Sequence, residues 1–342
     1  MGEEIRSSYI PPDITSMTNE WNEGIQTGET SRVEAMSDVF AWMRGFISGW
    51  YGWSNDGKGT FFDFMAVMKA KFDGWKFLMY KQEDMSSHKD GSRIVMDANH
   101  IYNNLAWTYT GITPYKHFSK KYFRPLMTLE QYHEAIEWVE KHFFAIYPSD
   151  RRYKSVMDDF LFYYEKFGID CFLIDPFKAL VLDDNERSDY VMNKVFIEAK
   201  EFALKTNSSF NFISHPKSLT EVKEGKDKDA PYKVVTQFMQ LGGSAWDINM
   251  DSQYSIYRPY RHRDPADPYV HFYNLKQRKA EIVGVKRGVY EEIKFDYLTK
   301  RYFFGGVCPL DGSLVSDKHK PSSTSEELNF STTPVSDEDL PF

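Results

Sequence analysis

Cysteine is almost missing from this chain: Cys171 and Cys308 are the only two in 342 residues. They stand far apart and without ligand spacing, which argues against a disulfide scaffold or a cysteine zinc site and fits a reducing compartment. Long apolar runs are also missing, and Met1-Gly2-Glu3-Glu4 offers neither the basic nor the apolar stretch of a secretory leader. A soluble, intracellular protein is therefore expected, without a membrane partner. Positive charge is in the minority, 42 Lys plus Arg against 50 Asp plus Glu, for a net charge of −8. That balance does not advertise a polyanionic partner, although lysines confined to one channel would still bind one. No segment repeats another.

What the chain has in quantity is aromatic side chains, 17% of its residues, with Phe and Tyr dominating. At this length they can fill one large α/β domain or two small ones. Residues 1–30 are polar, carry Pro11-Pro12, Gly24 and Gly28, and read as an extended arm with a short helix. Residues 31–312 form the domain. From about 31 to 305, apolar β-like runs alternate with helical patterns, which predicts an α/β fold with a mainly parallel central sheet flanked by helices. Strands are expected at Phe46–Tyr51, Lys76–Tyr80, Cys171–Ile174, Ser209–Ser214, Gln253–Tyr257 and Val270–Tyr273, with a final hairpin over Glu281–Val285 and Ile293–Tyr297. Helices are expected at Thr128–Phe143, Ser155–Phe167 and Tyr190–Lys205. Residues 313–342 turn to Ser, Thr, Pro and acid, and predict a disordered tail.

The most informative stretch is Gly52-Trp53-Ser54-Asn55-Asp56-Gly57-Lys58-Gly59-Thr60, between an apolar strand pattern and the helix-forming run Phe61–Ala70. Strand, glycine-rich loop and helix are the context a phosphate-binding loop requires. Gly52, Gly57 and Gly59 let backbone N–H groups, with that of Asn55, turn toward a phosphate; the helix N-terminus adds its positive end, and Lys58 reaches the β and γ phosphates. ATP with Mg²⁺ is the implied ligand. One departure stands out. Gly59 follows the lysine where Ser or Thr is usual, so Thr60 must supply the hydroxyl on the metal side.

Three further strand ends carry chemistry. Cys171-Phe172-Leu173-Ile174-Asp175 delivers a carboxylate suited to holding Mg²⁺ beside the loop. Glu83, just past the second strand, is placed to orient an attacking water, with Asp84 as the neighbour that competes for the role. In Phe210-Asn211-Phe212-Ile213-Ser214-His215-Pro216-Lys217, His215 reaches the same sheet edge, where it would contact a γ-phosphate.

Phosphate loop, Glu after the second strand, Asp-Pro after the third and His-Pro-Lys after the fourth resemble the RecA-type motor domain of DnaB-type replicative helicases, nearest the Twinkle-like and bacteriophage primase-helicase branch. Three more stretches over residues 25–305 add to the likeness. They are Gln26-Thr27-Gly28; Leu241-Gly242-Gly243-Ser244-Ala245-Trp246, followed by Asp251 and Arg258; and Lys276-Gln277-Arg278. The resemblance implies a RecA-like P-loop NTPase core, ATP hydrolysed at the subunit interfaces of a homo-oligomeric ring (usually a hexamer), and translocation on single-stranded DNA. Lys58 and Thr60 would hold phosphates and metal, Asp175 would assist the metal, Glu83 would activate water and His215 would sense the γ-phosphate. Arg278 would enter the neighbouring subunit's site as an arginine finger with Lys276 beside it, residues 1–30 would pack on that neighbour, and the setting would be the cytoplasm of a bacterial or phage-infected cell.

DNA contacts are expected on Gly242, Gly243 and Ser244 and on the loop holding Lys217, Lys223, Lys226, Lys228 and Lys233; the acidic 183–189 stretch is a weaker candidate. A Gly-Lys-Gly-Thr ending is familiar from adenylate kinases, but no arginine-rich lid accompanies it here. The alternative within the same resemblance is a RecA-like DNA-dependent ATPase that loads or remodels, or a nucleotide-gated DNA-binding module without unwinding. The chain ends in Ser336-Asp337-Glu338-Asp339-Leu340-Pro341-Phe342, which resembles the tip of bacterial single-stranded-DNA-binding proteins. Asp339, Leu340, Pro341 and Phe342 would dock on a replication or repair protein.

Overall fold

Strands that read as unbroken apolar runs are satisfied only when both faces of their sheet are covered. The computed structural model, which describes residues 10–24, 28–90, 93–182, 188–216 and 230–315, has that arrangement. After helix α1 (Ile14–Glu23) come a two-residue pair, β1 (Gly28–Glu29) with β2 (Trp42–Met43), and the loop strand β3 (Ile47–Tyr51). There follow α2 (Lys58–Asp73), β4 (Phe77–Lys81), the ribbon β5 (Ser86–Asp90) with β6 (Arg93–Asp97), α3 (Asn99–Thr110), α4 (Lys116–Tyr122), α5 (Leu129–His142) and β7 (Phe143–Ala145). The second half holds α6 (Tyr153–Phe167), β8 (Cys171–Asp175), α7 (Ser188–Thr206), β9 (Ser209–Ile213), α8 (Gly243–Asn249) and β10 (Ser252–Tyr257). It ends with β11 (Tyr269–Gln277), α9 (Ala280–Val283), β12 (Gly288–Asp296) and β13 (Arg301–Phe304).

The central sheet runs β7-β4-β8-β9-β3-β10-β11-β12-β13, parallel as far as β10 and antiparallel from β10 to β13. Alternation along each strand divides its side chains between two cores. Phe77, Met79, Cys171 and Leu173 face α2, α3 and α5, where they meet Phe61, Phe62, Ile101, Leu105 and Val139. Leu78, Tyr80, Phe172 and Ile174 face α6, α7 and α8, where they meet Phe160, Phe196, Ala199 and Trp246. Each large side chain buried in this way stabilises the fold by roughly 1.5–3 kcal/mol. The α5 helix starts where its sequence says it should: Thr128 accepts from the Gln131 N–H while the Gln131 side chain accepts from that of Thr128.

The expected strands and helices are present with ends moved by one or two residues, but the final hairpin is wrong. Residues 280–283 form the short helix α9, closed by Gly284 in a left-handed conformation at φ 82°. The antiparallel partners of β12 are β11 and β13. Leu241–Trp246, expected to be an open loop, instead starts α8 with left-handed Gly242 as its N-cap. Side chains at either glycine would collide: a Cβ on Gly242 would lie 2.6 Å from the Met192 sulfur, and one on Gly243 2.8 Å from the Phe238 backbone. Both glycines are thus required by packing. No side chain of α1 is buried, and Ile14, Met17 and Trp21 stand exposed. At the other end Ser313 and Val315 still bond the body, through Cys308 N–H to the Ser313 carbonyl and Val315 N–H to the Gly306 carbonyl. The segments 183–187, with Arg187, and 217–229, with Lys217, Lys223, Lys226 and Lys228, lie outside the described residues. So do Gln26, Thr27 and the tail from 316, including Asp339, Leu340, Pro341 and Phe342. No described helix is long and apolar enough to cross a membrane.

Candidate active site

The carboxyl edge of the parallel strands collects the expected residues. The loop after β3 reaches α2 through Gly57, whose φ of 82° is the left-handed turn a glycine allows at least cost. A second strut holds the loop open. Asp56, buried, accepts from the Trp53 N–H at 2.9 Å, and Arg261 from the β10–β11 loop bonds both its carboxylate (2.5 Å) and the Ser54 carbonyl (2.6 Å). Burial raises the Asp56 pKa despite that guanidinium. Arg258, singled out in the sequence, touches the Asn55 carbonyl from the same loop at 3.4 Å.

Lys58 is buried, and its ammonium donates to the Trp53 carbonyl and to His215 Nδ1, each at 3.0 Å. Burial lowers its pKa. His215, delivered by β9, is held neutral: burial, then the positive Lys58 and Lys178, push its pKa down to about 3. Its Nε2 lies 3.9 Å from a carboxylate oxygen of Glu83, which also pairs with Lys178 at 3.3 Å. Glu83 is half-exposed and Asp84 is tied to Lys81 at 3.1 Å, so of the two acids Glu83 is the one free to address a water. Asp175 ends β8, where burial raises its pKa. Thr60, Asp175, Glu83, His215, Gly57, Gly59, Asn55 and Lys58 all line one cavity of about 320 Å³. No cluster of three or more His, Cys, Asp or Glu is arranged as a ready-made metal site among the described residues. The donor chemistry nevertheless fits a hard divalent ion, a hydroxyl at Thr60 and a carboxylate at Asp175 sharing that cavity.

Several residues of the site escaped the sequence reading. Lys81, Asp63 and Lys300 line the phosphate cavity, as do His100, Asn104 and Thr108, which are spaced four apart on one face of α3. Next to it a second cavity of about 540 Å³ is lined by Thr60, Tyr122, Arg258, Pro268, Phe295 and Tyr297. A larger cavity of about 570 Å³ lies between α6 and α7, without the converging loop, lysine and carboxylates.

Lys276 and Arg278 are not part of this site. The N–H of Arg278 bonds the Asp251 carbonyl and that of Asp251 bonds the Ile47 carbonyl, at the start of β3, whereas the phosphate loop follows its end. Five strand residues, roughly 15 Å, separate them. Arg278 is half-exposed, bonded to the Ile248 carbonyl and 3.5 Å from Asp251, which Lys200 also holds at 2.6 Å; Lys276 bonds the Asp247 carbonyl.

No protein-family profile and no curated protein matches the chain. Solved structures do. A helicase ATPase domain, solved on its own, superposes with a TM-score of 0.68 at 12% identity, over 86% of this chain and 99% of that one. A DnaB-like replicative helicase, solved to show its interactions with primase, superposes at 0.65 and 14% identity, over 86% of this chain and 68% of that one. The architecture is therefore the α/β, RecA-like core of DnaB-type helicase ATPase domains.

Proposed function

We propose that this chain is an ATP-dependent DNA helicase motor, hydrolysing ATP between the subunits of a homo-oligomeric ring, a hexamer by analogy with the resemblance, while translocating on single-stranded DNA. The observation that carries the reading is the division of the machinery between two ends of one sheet. Lys58, Thr60, Glu83, Asp175 and His215 gather at one end and Arg278 at the other, where it can serve only a neighbour.

In this reading the loop amides and Lys58 grip the β and γ phosphates, and the adjoining cavity with Tyr122, Arg258 and Tyr297 takes the base. Thr60 and Asp175 would hold Mg²⁺, which neutralises charge on the phosphate oxygens when bound. Glu83 orients the water. Lys58 leaves His215 Nδ1 for the phosphate, so His215 registers whether a γ-phosphate is present and passes that to the following segment, which starts at Lys217. Arg278 from the neighbour, with Lys276, stabilises charge on the transferring group, an effect worth about 10³–10⁵ in rate where such fingers are known. The exposed Ile14, Met17 and Trp21 of α1 suit an arm that packs on that neighbour. DNA contacts are assigned to Lys217 and to Gly242, Gly243 and Ser244, and the tip Asp339–Phe342 to a partner in replication or repair. The arm, domain and tail are taken as 1–30, 31–312 and 313–342, and the setting as a bacterial or phage-infected cytoplasm.

The test is steady-state ATP hydrolysis with and without single-stranded DNA, beside strand displacement on a forked duplex. DNA-stimulated hydrolysis with unwinding supports the proposal. DNA-stimulated hydrolysis without unwinding leaves a loader or remodeller, and hydrolysis blind to DNA removes the motor.

A further inference from the structure

The phosphate cavity holds more lysine than the proposed reaction uses. Lys81 is the last residue of β4, and the parallel register sets it opposite Asp175 of β8, so both side chains leave the sheet on the α2 face. Its side chain is 3% exposed and bonds Asp63 of α2 at 2.7 Å and Asp84 at 3.1 Å. Burial alone would lower its pKa, but Asp63, Asp84 and Asp175 outweigh it and hold the ammonium charged. Two carboxylates use two of its three hydrogens, which leaves one to give. Lys300 arrives from the β12–β13 turn, with a left-handed backbone (φ 57°) uncommon outside glycine, and its ammonium stands 5.5 Å above the Trp107 ring. Both lysines line the same cavity as Lys58 and Thr60.

Gly59 belongs to the same arrangement. A Cβ built there would lie 2.9 Å from an Asp175 oxygen and 3.9 Å from the Lys81 ammonium. In a loop ending in Lys-Ser or Lys-Thr this is the position from which a hydroxyl reaches the metal. Here no side chain occupies it, and a fixed cation stands within 4 Å of it. A preorganised ammonium at phosphate oxygens supplies part of the charge neutralisation otherwise left to a divalent ion.

We propose that Lys81 and Lys300 are phosphate-site cations that let this chain bind the triphosphate of a nucleotide without a divalent metal, with Gly59 leaving room for the Lys81 contact. The metal is then required for hydrolysis and not for binding. The inference rests on the nucleotide reading above, and its test separates the two.

A fluorescent ATP analogue is titrated into the full chain with Mg²⁺ and with excess EDTA, and thermal unfolding confirms that each variant is folded. Wild type is expected to bind in EDTA within about threefold of its Mg²⁺ affinity. Lys300→Asn keeps a residue tolerant of a left-handed backbone, and the double variant Lys81→Met with Asp63→Asn avoids leaving a buried carboxylate without its partner. Each is expected to lose about tenfold or more in EDTA and less in Mg²⁺. Wild-type binding that falls by about a hundredfold in EDTA overturns the inference, as do variants that keep the wild-type ratio of the two affinities. Absence of binding in both buffers overturns the nucleotide reading itself.

Discussion

At the scale of single residues, His215 and Gly59 say most about this site. His215 accepts from Lys58 at 3.0 Å and is neutral, its pKa lowered from 6.5 to about 3. For a depressed base, the stability it contributes is present above the unfolded value and lost as pH falls through 6.5 toward 3. The wild-type midpoint in urea should therefore drop more steeply between those limits than that of His215→Gln, which does not titrate. Parallel profiles would show that the imidazole is not held neutral. A serine at Gly59 would press against Asp175, with a Cβ contact of 2.9 Å, and is expected to cost about 1 kcal/mol by denaturant unfolding. A stability equal to wild type would mean that Asp175 has space to retreat.

Single residues were also where the sequence was most and least legible. The loop, Asp175, Glu83 and His215 were readable because each is a polar residue at the end of an apolar strand, and parallel strands put their carboxyl ends on one edge. Lys81 was not. Its meaning comes from standing opposite Asp175 across the sheet, and register between strands far apart in sequence leaves no local trace. Lys300 likewise reads as an ordinary turn lysine until the β12–β13 hairpin is folded back over α3.

At the scale of elements, the β10–β11 loop is the strut of the phosphate loop, through Arg261 and Asp56. Arg261→Ala leaves Asp56 buried without its partner, so nucleotide affinity should fall about tenfold, with the midpoint of global unfolding moving little. Unchanged affinity would make Arg261 a bystander. Thr128→Ala removes half of the α5 capping box and should cost about 1 kcal/mol, a check by urea unfolding that does not involve the site. Helices with such signals were found from sequence. The α3 helix was missed because Asn99, His100, Asn103, Asn104 and Thr110 favour other conformations and Ala98 offers no cap; packing of Ile101 and Leu105 overrides them. The misplaced hairpin has the opposite cause. Ile282 and Val283 look β-forming, but Gly284 ends a helical turn there and β12 finds β11.

At the scale of the whole molecule, everything proposed turns on one incompleteness: the site assembled at one end of the sheet has no arginine finger of its own, and Arg278 lies roughly 15 Å away at the other end. An isolated subunit is then a poor ATPase, and a ring is a good one whose sites are each built by two subunits. The direct measurement is ATP hydrolysis in the presence of single-stranded DNA as Arg278→Ala subunits are mixed into wild type at constant total protein. Activity should fall faster than the wild-type fraction, because each mutant subunit disables its neighbour's site and interrupts the ring. A strictly proportional fall, each subunit hydrolysing for itself, would contradict the account.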